Sequence, residues 1–170
     1  MKHRSQWIFS AVLLFSVISR AQFKRVPLQA PAQPNPQLYR ADANAAQDIR
    51  RALATAVQQH KNVLVDFGGN WCIDCHVLEN AFHQSRIAPL LNSNYIVVHV
   101  DVGKYDKNLE LAKKYHVNLE KGVPSLAVLD AQGKVLYGTS DFERARMMSE
   151  DDVIQFLEKW KPAAEKKQGS

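Results

Sequence analysis

The stretch Val63-Leu64-Val65-Asp66-Phe67-Gly68-Gly69-Asn70-Trp71-Cys72-Ile73-Asp74-Cys75-His76 decides how this chain folds. Its first five residues form an apolar run interrupted only by Asp66, which reads as one buried strand. A helical pattern of apolar residues, 77 to 82, follows the second cysteine. Between them lie the only two cysteines of the chain, three positions apart. A structural disulfide gains most when it closes a long loop, and one across two intervening residues gains little. A Cys-x-x-Cys where a strand hands over to a helix is instead the pattern of a redox dithiol.

The placement supplies a physical cause for such chemistry. A cysteine at a helix N-terminus faces unsatisfied N–H groups and the positive end of the helix dipole. The Cys72 thiol is therefore expected to fall from about 8.5 into the roughly 3.5–7.5 range of such motifs. Only the thiolate attacks a disulfide, so Cys72 is the expected nucleophile. Cys75, one turn further in, is expected to be less exposed and to resolve the mixed disulfide.

Working outward, residues 22–37 carry Pro27, Pro31, Pro34 and Pro36 among Gln, Ala and Asn, and read as an extended tether. Asp42 is the expected cap of a helix over 43–59, with Ile49, Leu53 and Val57 along one face. After the dithiol a helix is expected to about residue 84, then a short helical piece at 87–91. The β-branched run 95–102 reads as a buried parallel strand, and 109–115 as a helix. Residues 125–129 and 135–137 form a hairpin pair around Gln132-Gly133. Ser149 with Asp152 approximates a capping box and opens a last helix through Trp160, stopped by Pro162. This order predicts an α/β fold, a central mixed sheet flanked by helices.

The 170-residue length and 46% hydrophobic content suit one self-sufficient domain with extensions. Residues 1–21 read as a secretory signal: Lys2 and Arg4, an apolar stretch from 7 to 18, then Ser19-Arg20-Ala21 for cleavage. The alternative is an uncleaved anchor, although the stretch is short of the ~20 residues a membrane span requires. The expected organisation is signal 1–21, linker 22–41, domain 42–161 and a flexible tail 162–170. Lys2, Arg4 and Arg20 leave with the signal and no acid does, so the net charge of +5 falls by three to +2. No basic stripe with interleaved aromatics points to nucleic acid, and a monomer is expected.

The chain resembles the thioredoxin family across residues 42–161. Val65-Asp66-Phe67 with Trp71-Cys72 is similar to the family's central strand and active-site tryptophan. Lys121-Gly122-Val123-Pro124-Ser125-Leu126 resembles its cis-proline loop, and Asp130-Ala131-Gln132-Gly133-Lys134 its closing turn. His76, Leu78 and Glu79 bring it nearest to bacterial periplasmic members, such as the C-terminal domain of the membrane thiol-electron transporter. Ile73-Asp74 in place of Gly-Pro, and extra residues before Pro124, are departures bearing on potential and partner choice. The resemblance implies that buried Asp66 takes the Cys75 proton through a water; the plain alternative is an acid bonding backbone. It implies a cis bond before Pro124 that exposes the Val123 backbone to a substrate strand, rather than an ordinary loop proline. It makes Trp71 a shield and apolar contact for substrate, rather than a core residue. Asp74 opposes a thiolate and a protonated His76 favours it; two solvated side chains are the alternative. The other histidines, His99 among them, read as surface or packing residues, and residues 101–107 as a solvated loop, the alternative being a border of the active site.

Two rivals belong to other classes. Cys72-Ile73-Asp74-Cys75-His76 satisfies the c-type haem attachment pattern, but Met147 and Met148 lie in a polar stretch unsuited to an axial ligand. Cys72, Cys75 and His76 could instead hold Cu(I), which soft thiolates suit, though no further ligand stands out. The reading preferred is a secreted, periplasmic thiol–disulfide oxidoreductase, a reductase rather than an oxidant. It needs no metal or cofactor beyond the Cys72–Cys75 dithiol. Its partners are protein thiols and disulfides and a membrane or soluble thiol electron donor.

Overall fold

The computed structural model describes residues 25–163; the predicted signal, residues 22–24 of the linker and residues 164–170 of the tail lie outside them. The β-branched and aromatic runs form strands β1 (Asn62–Gly68), β2 (Tyr95–Asp101), β3 (Ser125–Leu129) and β4 (Val135–Thr139). They make one sheet in the order β2-β1-β3-β4. Strands β1 and β2 run parallel, while β3 is antiparallel to both β1 and β4. The sheet is therefore mixed, as the alternation of elements predicts. Its helices are α1 (Ala45–Gln59), α2 (Ile73–Phe82), α3 (Ala88–Asn94), α4 (Leu109–Lys114) and α5 (Glu150–Trp160).

Every residue of β1 is buried. Alternation sends successive side chains to opposite faces, and each face meets its own apolar layer. Val63, Val65 and Phe67 pack with Ile49, Ala52 and Ala56 of α1 and with Leu111 and Ala112 of α4. Leu64 packs with Val77 and Leu78 of α2, Leu91 of α3, and Val153 and Leu157 of α5. Asp66 shares the parity of Leu64 and so lies on the α2 side of the sheet.

Local chemistry fixes the helix ends. The Asn44 side chain, not Asp42, caps α1 by accepting the Gln47 N–H at 3.0 Å; Asp42, two residues earlier, pairs at the surface with Arg40. Ser149 and Asp152 form a full capping box on α5. The dithiol helix is shorter than expected, ending at Phe82. Strand β2 is only partly buried, because β2 is an edge strand. Among the described residues no helix is long and apolar enough to cross a membrane.

Residues 25–41 are not the free tether that their composition suggests. Pro27 forms a bridge with Ser149, and the Leu28 N–H donates to the Met148 carbonyl at 2.8 Å. Leu28, Leu38 and Tyr39 are buried, Tyr39 completely. Prolines exclude a regular helix here, yet three large apolar side chains gain enough from burial to dock the segment. Tyr39 sits so close to Gly68 that a Cβ there would meet its ring at 2.4 Å. Tyr39→Ala is expected to lower unfolding free energy by about 3 kcal/mol, read from the denaturant midpoint. An unchanged midpoint would return this segment to the status of a linker.

Candidate active site

Strand β1 ends at Gly68, and residues 69–71 turn the chain into α2. The Cys72 N–H donates to the Gly69 carbonyl at 2.9 Å, which closes that turn. Cys72 is the N-cap of α2, and its sulfur accepts the Cys75 N–H at 3.1 Å. The two cysteines are joined as a disulfide. Cys75 is wholly buried, whereas Cys72 keeps 5% of its surface.

The loop before β3 faces this turn. The Val123–Pro124 peptide is cis, and the Val123 carbonyl oxygen lies 3.3 Å from the Cys72 sulfur. Gly122 holds a φ of 126°, in the region that favours glycine. Trp71 is 45% exposed and stands at the mouth of the site. Its indole N–H donates to the Gly103 carbonyl at 2.7 Å, with Tyr105 and Lys104 against the ring. Residues 101–107 therefore border the site rather than standing away as a solvated loop. The signal was modest: Gly103 and Tyr105 are the conformationally unusual and aromatic residues of an otherwise polar run.

Asp66 is fully buried beneath α2. Its Oδ2 accepts two bonds, from the Tyr39 hydroxyl at 2.6 Å and from the His99 Nδ1 at 3.0 Å. Its Oδ1 is buried without a hydrogen-bond partner among the described residues. The Asn70 amide ties the same region together, pairing both ways with the Tyr39 backbone at 2.9 and 2.8 Å. Asp74 and His76, open between tuning and solvation in the sequence, are both buried. His76 Nε2 lies 3.0 Å from the Asn70 carbonyl, and Asp74 is bound by Arg146.

Sequence reasoning missed Tyr39 and His99. Tyr39 was masked by its proline-rich surroundings, although Leu38-Tyr39 is the most apolar pair there. His99 lies directly across from Asp66 in the parallel register of β1 and β2, and its Nε2 is 3.4 Å from Glu79. Burial alone would lower the His99 imidazole; the hydrogen bond and charge of Asp66, with Glu79, outweigh it and hold it above its usual value. Burial, the charge and hydrogen bond of Asp66, and the Glu79 charge push the Tyr39 hydroxyl well up, so it stays a donor.

Residues 44–131 match the model of a family described as thioredoxin-like. The chain belongs to the thioredoxin-like family. Its Cys72–Cys75 disulfide makes it a thiol–disulfide oxidoreductase of that family. This thioredoxin-like protein is 35% identical to a disulphide isomerase from Xylella fastidiosa Temecula1, with a TM-score of 0.68 over 72% of its own length and 95% of the other chain. It is 33% identical over 89 residues to the thiol:disulfide interchange protein DsbD of Vibrio cholerae. That match spans 51% of this chain and 14% of the relative's length. The oxidised C-terminal domain of Neisseria meningitidis DsbD shares the fold, at 20% identity and a TM-score of 0.51 over 68% of this chain and 96% of that one. Among the described residues no group of three His, Cys, Asp or Glu is gathered to hold a metal ion.

The raised His99 makes a pH-dependent prediction. A raised folded value gives stabilisation that is complete below the unfolded value, about 6.5, and is lost as pH climbs through the folded one. His99→Gln is therefore expected to shift the denaturant midpoint more at about pH 6 than at about pH 9. An equal deficit at both would mean that His99 is neutral in the folded protein throughout.

Proposed function

We propose that this protein is a periplasmic reductase of protein disulfides, with Cys72 as nucleophile and Cys75 as resolving thiol. The observation that carries the division of labour is the contrast between the sulfurs. Cys72 caps the helix, accepts the Cys75 N–H and keeps some exposed surface, whereas Cys75 is sealed inside. A thiolate at Cys72 gains from that N–H and from the helix terminus.

In the reduced protein the Cys72 thiolate attacks a client disulfide, forming a Cys72–client bond and releasing one client thiolate. Cys75 then loses its proton to Asp66 through a water, and its sulfur attacks the Cys72 sulfur. The Cys72–client bond breaks, the Cys72–Cys75 bond forms, and the second client thiolate leaves. Two electrons have passed to the client, whose thiolates take protons from solvent. Asp66 suits the role because Tyr39 and His99 both engage Oδ2 and leave Oδ1 to receive a proton. Trp71 offers an apolar contact to the client. The backbone before Pro124 is available to an extended client strand, and a proline cannot donate a competing N–H.

A built-in base for the resolving thiol supports a reductase reading, because that step ends each reduction, while the net direction is set by which redox form the fold stabilises. A membrane or soluble thiol donor then returns two electrons to the Cys72–Cys75 disulfide. The secretory pattern of residues 1–21 supports a periplasmic location, and the likeness to DsbD supports such a donor. Cys75→Ala is expected to trap clients as stable mixed disulfides on Cys72, recoverable after acid quenching, while Cys72→Ala traps none. Equal trapping by both variants would overturn the assignment. Asp66→Asn is expected to slow insulin reduction about a hundredfold while leaving the first alkylation of Cys72 nearly unchanged; full turnover in that variant would remove Asp66 from the mechanism.

A further inference from the structure

Asp74 stands between the two cysteines in the first turn of α2. A negative charge there works against a thiolate at Cys72, and Asp74 is too buried, at 6% exposed, for solvent to screen it fully. One residue from the short turn Ala145–Met147 meets it. The Arg146 backbone N–H donates to Asp74 Oδ1 at 2.9 Å, and its guanidinium lies 3.2 Å from Oδ2. The acid is thus gripped through both oxygens by a residue 72 positions downstream. The turn belongs to the connection between β4 and α5, so the grip also pins that connection onto the start of the dithiol helix.

We propose that Arg146 is a positioning residue for the dithiol: it takes up the Asp74 charge and thereby keeps Cys72 able to ionise. The inference rests on the reading of Cys72 as the nucleophile. It explains how an acid can occupy the space between two redox cysteines without silencing the first. Other charged or titratable groups face the same region. Lys121, Glu143, Arg144 and Tyr105 line the cleft beside Cys72, Lys104 lies over the Trp71 ring, and His76 is turned to the Asn70 carbonyl. Their contribution is common to all variants compared below.

The test is the Cys72 titration in the reduced full-length chain, followed as the rate of iodoacetamide alkylation against pH. Arg146→Ala is expected to raise the Cys72 midpoint by roughly one pH unit, so that tenfold less thiolate is present well below it. Asp74→Asn is expected to lower the midpoint, because the guanidinium is then uncompensated. The double variant is expected near the wild-type value, and Arg146→Lys to retain it. Where the thiolate is the reduced species, a midpoint raised by about one unit disfavours that species tenfold and makes the couple more reducing by about 30 mV against glutathione. A wild-type midpoint in Arg146→Ala, or an equal shift in Arg146→Lys, would overturn the proposal, the latter because charge would be irrelevant. Should Arg146→Ala fail to fold, Arg146→Gln, which keeps the backbone N–H bond to Asp74 and removes only the charge, decides: a raised midpoint supports the idea and an unchanged one sinks it. A wild-type chain that does not reduce insulin would sink the proposed function, while the predicted shifts would still support this pair.

Discussion

Strand β1 has no face turned to water, and that constraint organises the rest of the molecule. One layer of helices covers each side, and neighbouring strands satisfy both of its edges. An acid on such a strand has no solvent to accept its charge. Asp66 is therefore tolerable only with partners brought to it, and the fold delivers two: Tyr39 from the N-terminal segment and His99 from the adjacent strand. Both take the same carboxylate oxygen. The asymmetry they create leaves Oδ1 buried without a hydrogen-bond partner among the described residues, the feature on which the proposed role of Asp66 as a base rests.

The same strand aims the chemistry. Because β1 runs straight into a closed turn and then α2, the first cysteine falls on the helix cap and the second on its buried side. A single helix register thus sets the two sulfurs in different surroundings, the difference on which the proposed division of labour rests. The elements around it come from distant parts of the chain: the cis Val123–Pro124 loop, the Gly103–Tyr105 loop against Trp71, and the turn that carries Arg146. The first brings a carbonyl to 3.3 Å from the Cys72 sulfur, and the other two act on its neighbours Trp71 and Asp74.

Charge around the dithiol is arranged by pairing rather than by exposure. Asp74 is buried against Arg146, and His99 sits between Asp66 and Glu79. Removing Arg146 leaves Asp74 uncompensated in a poorly solvated place, whereas the Arg146 side chain is itself 61% exposed, so the two halves of that pair do not carry equal cost. The identity of the two residues between the cysteines therefore says little by itself, because its consequence depends on what stands opposite.

Asp66, Trp71 and Pro124 were singled out through the resemblance to the thioredoxin family, whereas the Cys72–Cys75 pair and its place at a helix start were legible in the sequence because a strand-to-helix handover is a short-range pattern. The α/β order and the Ser149 cap were legible for the same reason, being set by periodicity and local hydrogen bonding within a few residues. Tyr39, His99 and Arg146 were not, since their partners lie 27, 33 and 72 positions away. No local pattern distinguishes a tyrosine in a proline-rich stretch from one in a linker, or a histidine facing a carboxylate from one facing water. Sequence alone settled which atoms can exchange electrons and where they sit on a helix. The tertiary structure alone decided which charges and hydroxyls surround them, because electrostatic partners are chosen by distance through space, and the chain returns to its own sulfurs only after folding.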